Sequence, residues 1–162
     1  HKIDALVGKY EHPDGGKLTF APSIPGHVEN RQLTNNSLNI MAGCFLACTP
    51  GVNIKAKFGG FKALFSGEGA FLLEASGNGE LFFNSFGGIV EKQNNGEFIV
   101  DTGHVVAFDP SLDYTISGMG NFKSTMLSGQ GLVMRFEGSG KLYLQTRNVS
   151  SIASWLTPRL LG

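Results

Sequence analysis

The chain has 162 residues, 41% of them hydrophobic and only 16% charged, with 13 Lys and Arg balancing 13 Asp and Glu. That length suits one domain with a proper core; zero net charge gives no field to draw nucleic acid or an anionic membrane, and no apolar run approaches the roughly 18 residues of a membrane helix. No secretory leader pattern opens it, so a soluble protein is expected, and the start at His1 rather than Met points to processing or a longer parent.

Along the chain, the 23 glycines fall between short apolar runs and act as punctuation. A first sequon, Asn35-Asn36-Ser37, precedes an apolar run holding Cys44 and Cys48. The run reads as a buried strand, which would set the two thiols about 13 Å apart on one face, too far for a disulfide. "NIKAKF" (53–58), "AFLLEA" (70–75), "ELFFNSF" (80–86), "EFIVD" (97–101), "HVVAF" (104–108) and "KLYLQ" (141–145) follow, each bounded by turn-forming residues. They predict short strands with tight turns. A second sequon opens at Asn148, and one helix is expected over about 150–157, capped by Asn148 or Ser150, with Ile152, Trp155 and Leu156 on one face and Pro158 stopping it.

The strands come in two blocks. "AGCFLACTPGV" from Ala42 aligns without gaps on "TGHVVAFDPSL" from Thr102, pairing Gly43 with Gly103, Ala47 with Ala107 and Pro50 with Pro110. Further on, Phe61-Lys62 aligns with Phe122-Lys123, Ser66-Gly67 with Ser128-Gly129, and Gly77 and Gly79 with Gly138 and Gly140, so the register drifts by a residue or two, as a bulge or an altered turn would leave it. Apolar positions keep their character, whereas Glu74 falls on Arg135. A block of about 60 residues buries one face poorly alone, and a second copy supplies the missing wall. The expected architecture is a single all-β domain over 1–162, a double-stranded β-helix or β-sandwich of two pseudo-symmetric repeats (about 24–86 and 87–147) with the short C-terminal helix.

"APSIPGHV" (21–28), "GCFLACTPGV" (43–52), "SGEGAFLLEASGNGELFFNSFGGI" (66–89), "DTGHVVAFDPSLDYTI" (101–116) and "SGQGLVMRFEGSGKLYLQTRN" (128–148) together resemble the AIM24 family, named for an altered-inheritance-of-mitochondria protein and grouped with the tryptophan RNA-binding attenuator protein-like folds. The resemblance runs over roughly 21–156. It implies a double-stranded β-helix that assembles into oligomers, in members that usually carry about one more β block at the N-terminus. It supplies no agreed activity, no catalytic motif and no cofactor. The location it implies is cytoplasmic in a prokaryote and mitochondrial in a eukaryote, with the sequons leaving secretion open.

Three chemical readings compete with that of a scaffold. Apolar residues running into Asp101-Thr102-Gly103 resemble the loop in which aspartic proteases pair two carboxylates. Here the aligned residue of the other block is Met41, so the dyad would need a dimer, His104 stands where those proteases carry Ala or Ser, and Asp-Thr-Gly is also an ordinary turn. Cys44 and His104 occupy aligned positions, and two such ligands do not close a zinc site. "KAKFGGFK" (55–62) interleaves Lys55, Lys57 and Lys62 with Phe58 and Phe61, the composition of a base-stacking platform, but the second block retains only Phe122 and Lys123. No phosphate loop or nucleophile elbow is present. The sequence therefore predicts a non-enzymatic, self-associating β-scaffold without cofactor, with Phe58, Phe61, Phe82, Phe86 and Trp155 as candidate contact residues. An RNA- or small-ligand-binding module and a dimeric aspartic protease using Asp101 are the alternatives.

Overall fold

The computed structural model describes residues 9–11, 13–58, 71–118 and 132–148, and the helix expected over 150–157 lies outside them. Within the described residues the chain is all-β. The ten strands found there are β1 (Val28–Met41), β2 (Phe45–Cys48), β3 (Val52–Phe58), β4 (Phe71–Asn84), β5 (Ile89–Asn95), β6 (Phe98–Asp101), β7 (Val105–Phe108), β8 (Asp113–Gly118), β9 (Leu132–Glu137) and β10 (Ser139–Gln145). One-turn 3₁₀ segments at Ala42–Cys44 and Thr102–His104 lead into β2 and β7.

Every pairing between these strands is antiparallel. A seven-stranded sheet runs β2-β4-β1-β7-β10-β5, with β3 also on β4, and a three-stranded sheet runs β6-β9-β8. The long β1 and β4 lie against each other from Val28↔Asn84 to Met41↔Leu72, with one irregularity between Thr34 and Asn36. The junction with the rest of the large sheet is narrow: Asn39 and Ile40 of β1 pair with Phe108 and Ala107 of β7.

Alternation places the core. Leu132, Met134 and Phe136 of β9 are buried while Arg135 and Glu137 between and beyond them are exposed, the period of two that a half-buried strand requires. Met134 and Phe136 meet Leu72, Val105, Phe108, Leu112 and Leu142 in one apolar cluster, and so pack the small sheet onto the large one. A second cluster joins Leu38 and Ile40 of β1 and Leu81 and Phe83 of β4 to Val106 and Tyr143 of β7 and β10. Cys44, expected in a strand, closes the Ala42–Cys44 turn instead, and β2 begins one residue later. Its backbone belongs to the short segment that carries the chain from β1, on one side of β4, to β2 on the other, while the thiol still faces the core.

Candidate functional site

The Asp-Thr-Gly segment is a capped turn. Asp101 precedes the 3₁₀ segment, and its Oδ1 accepts from the Gly103 amide at 2.7 Å and from Asn148 Nδ2 at 3.3 Å. Thr102 is buried and donates through Oγ1 to the Leu132 carbonyl at 3.0 Å. His104 Nδ1 lies 2.8 Å from the Gln145 carbonyl, which makes that nitrogen the protonated one. Gln145 completes the knot: its Nε2 donates to the Gly103 carbonyl at 2.7 Å, and its Oε1 accepts the Phe86 amide at 2.8 Å. The three residues that looked most like chemistry thus fasten β6, β7, β9 and β10 to one another. Sequence reasoning missed Gln145 altogether, because a lone Gln at a strand end carries no pattern.

Cys44 and His104 each close one of the two 3₁₀ segments. Burial pushes the Cys44 thiol up to about 12, so it stays protonated and behaves as a small apolar side chain. Cys48 is raised by partial burial in the same direction, and both cysteines are free. Among the described residues no three His, Cys, Asp or Glu side chains come together as metal ligands.

Of the aromatic contact candidates, Phe86 is buried at 7% exposure, with the Arg147 guanidinium 5.9 Å from its ring centroid. Phe82 is half-buried on β4, opposite Asn30 and Ala47. Phe58 ends β3 in register with Phe71. Phe61, Lys62 and Trp155 lie outside the described residues. Of the basic candidates, Lys57 is engaged, ion-paired with Glu74 and within 3.4 Å of Asn39 Oδ1, while Lys55 is exposed on the same strand.

The densest polar cluster was not anticipated. Arg31 of β1 donates to the hydroxyl of Tyr143 and lies 3.7 Å from Asp109, whose other oxygen accepts the Lys141 amide at 2.8 Å. Lys141 reaches Glu91 on β5 at 2.7 Å. Burial raises the Tyr143 phenol and Arg31 opposes the shift, while the hydrogen bond to Glu91 raises Lys141. Tyr143 therefore remains a neutral phenol accepting a hydrogen bond, packed edge-on against Phe83 at 5.3 Å. The cluster ties β1, β5 and β10 across the narrow β1–β7 junction.

Outside these contacts, the outer strands keep one side unpaired among the described residues. Within the described residues β2 pairs with β4 alone and β6 with β9 alone, and Val90 and Ile99 stand 49% and 53% exposed on β5 and β6. Outer strands with one unpaired side and exposed apolar side chains belong to an all-β module.

The chain belongs to the AIM24 family. The family profile described as mitochondrial biogenesis AIM24 matches residues 5–147. An uncharacterized protein of Streptococcus pyogenes serotype M6 is 34% identical over 144 residues, covering 87% of this chain and 58% of its own length. The X-ray crystal structure of a Streptococcus pyogenes protein is similar with a TM-score of 0.76 and 31% identity, covering 86% of this chain and 62% of that one. The chain thus spans about three-fifths of the length of both relatives. No helix among the described residues is long and apolar enough to cross a membrane.

Proposed function

We propose that this chain is a non-enzymatic scaffold, made of two copies of one β unit and assembling with further copies of itself. The observation that carries the reading is the agreement of strand pairings between the halves. In the first, β2 pairs with β4 and slips between Phe45 and Ala47; in the second, β7 pairs with β10 and slips between Val105 and Ala107, 60 residues on in each case. β3 lies on β4 as β8 lies on β9, and β1 lies on β4 as β5 and β6 lie on β10 and β9. Side chains repeat the scheme. Thr49 Oγ1 accepts the Glu80 amide and Asp109 Oδ2 the Lys141 amide, both at 2.8 Å, while the Thr49 and Asp109 amides donate back to the Glu80 and Lys141 carbonyls, both at 2.9 Å.

A double-stranded β-helix is the architecture we infer for the pair. Its support is that the second unit's counterparts of β1 and β4 each divide between the sheets, β5 and β10 in the large one, β6 and β9 in the small one. The large sheet then reads as one unit's strands followed by the other's, joined edge to edge. A unit that joins its like through a sheet edge has the means to join more of them, and this favours assembly over catalysis. No observation favours the protease or RNA-binding readings.

Assembly of this kind rests on main-chain and apolar contacts, so it should persist from low to moderate salt. Light scattering of the purified chain at micromolar concentration should give a mass above the 17.3 kDa subunit at both ionic strengths. A monomer in both would refute the scaffold reading.

A further inference from the structure

The internal junction specifies an external one. Asn39 and Ile40 of β1 meet Phe108 and Ala107 of β7. Moving 60 residues forward along the first partner and 60 back along the second gives Ile99 and Val100 on β6, and Cys48 and Ala47 on β2. Both strands have an outer edge unpaired among the described residues, a property they share with β3, β5 and β8. Burial follows the same logic. Asn39 and Ile40 are 3% and 0% exposed, whereas Ile99 is 53% exposed and Val100 half-buried. All four residues of β7 are buried, and all four of β2 only half-buried. Each outer strand lacks the cover that its counterpart receives inside the chain.

Neither edge carries the usual protection. Natural edge strands are blunted by Lys, Pro or a charge in the middle of the strand. β2 is "FLAC" and β6 is "FIVD", whose one charge sits at its end and is occupied as the cap of the following turn. The side chains also suit the exchange: Ala47 keeps the place of Ala107, and Val100 stands for Ile40 with one methylene fewer. A generic extended peptide would fit one edge. A second copy of this chain fits both, with a register already used once inside the molecule.

We infer that β6 of one copy adds antiparallel to β2 of the next, with Ile99 opposite Cys48 and Val100 opposite Ala47. The inference rests on the duplicated-unit scaffold reading and gives it a contact and a direction. The interface is head-to-tail, since two different surfaces meet, and each added copy presents a fresh β6 edge. Such a contact closes into a ring when the rotation per step permits and otherwise grows into a filament.

The register places a native cysteine where it can report. Residues directly opposite on antiparallel strands have Cβ atoms about 4.5–5.5 Å apart, near enough for a disulfide with slight adjustment. In the full chain carrying Ile99→Cys, mild oxidation should link the introduced thiol of one copy to Cys48 of the next and give a ladder of multimers, or a closed ring, on non-reducing electrophoresis. The ladder should be lost in Ile99→Cys with Cys48→Ser and be absent from the wild type. Ile99→Lys, at an exposed site that should leave circular dichroism unchanged, should lower the associated mass seen by light scattering. Association of the Ile99→Cys variant without a link to Cys48, or a link that survives Cys48→Ser, would overturn the proposed edge and leave the scaffold reading standing. A wild-type monomer would overturn both.

Discussion

Asp101 caps the turn that leads into β7. Its Oδ1 holds the Gly103 amide at 2.7 Å and Asn148 Nδ2 at 3.3 Å, so its work is done by an acceptor oxygen, which Asn also possesses. Removing a capping oxygen costs about 0.5–2 kcal/mol. We therefore expect Asp101→Ala to lower unfolding stability by about 1 kcal/mol and Asp101→Asn to recover most of that loss, as urea titration would measure. Peptide hydrolysis at acid pH that is present in the wild type and lost in Asp101→Asn would contradict the non-enzyme reading. At this scale the sequence was a partial guide. Asp-Thr-Gly reads as a turn from its residue types alone, but Gln145 and Asn148 reach it from the far end of the chain, and only the closing of β10 against β7 brings them there.

The elements were legible where their side chains alternate or cluster and obscure where they do not. β3, β6, β7 and β10 carry the apolar runs that mark strands, and each is found close to the expected limits. β5 (IVEKQNN) was not among the runs singled out, because it lies at the sheet edge with only Asn94 buried and is held by main-chain bonds to β10. The first half of β1 is similarly polar and exposed, with no apolar stripe to announce it. "AFLLEA" and "ELFFNSF", read as two strands, lie largely in the single β4, because Gly77 carries the chain between them at φ 121° and the pairing to β1 continues past a one-residue slip between Thr34 and Asn36. There the β2–β3 turn presses on the strand: the Asn78 amide donates to the Gly51 carbonyl at 3.0 Å, and a methyl group on Gly77 would collide with that carbonyl. Gly138, the counterpart, has φ 101° but only an ordinary contact, 3.6 Å from the Ser111 carbonyl to where a methyl group would stand. Backbone strain at a positive φ costs about 1–3 kcal/mol. Both Gly→Ala variants should lose stability on that account, with Gly77→Ala losing more because the turn must also move. Equal melting shifts for the two would show that the turn yields freely.

At the scale of the whole molecule, the two blocks visible in the sequence do not become two independent bodies. The spacing of glycines and apolar residues was enough to suggest duplication, but the way the halves meet was not legible, since β1 and β7 join through two main-chain pairs with no side-chain signature. Their cores are shared as well. Val106, Ala107 and Tyr143 of the second half complete the cluster around Leu38 and Phe83 of the first; Leu72 of the first enters the cluster around Phe108 and Phe136, and Met41 packs against both. A defect in one half must therefore reach the other. Phe136 is fully buried, with its ring 4.9 Å from that of Phe108, and truncating such a ring costs about 3–5 kcal/mol, a large part of the roughly 5–15 kcal/mol that holds a domain together. Phe136→Ala should accordingly lower hydrogen-exchange protection of β1 and β4 amides along with those of β9 and β10, and the protein should melt in a single transition at a lower temperature. If β1 and β4 kept wild-type protection while β9 and β10 lost theirs, the shared core would be too weak to couple the halves. Each would then fold as its own unit, joined to the next by little more than the strand edge.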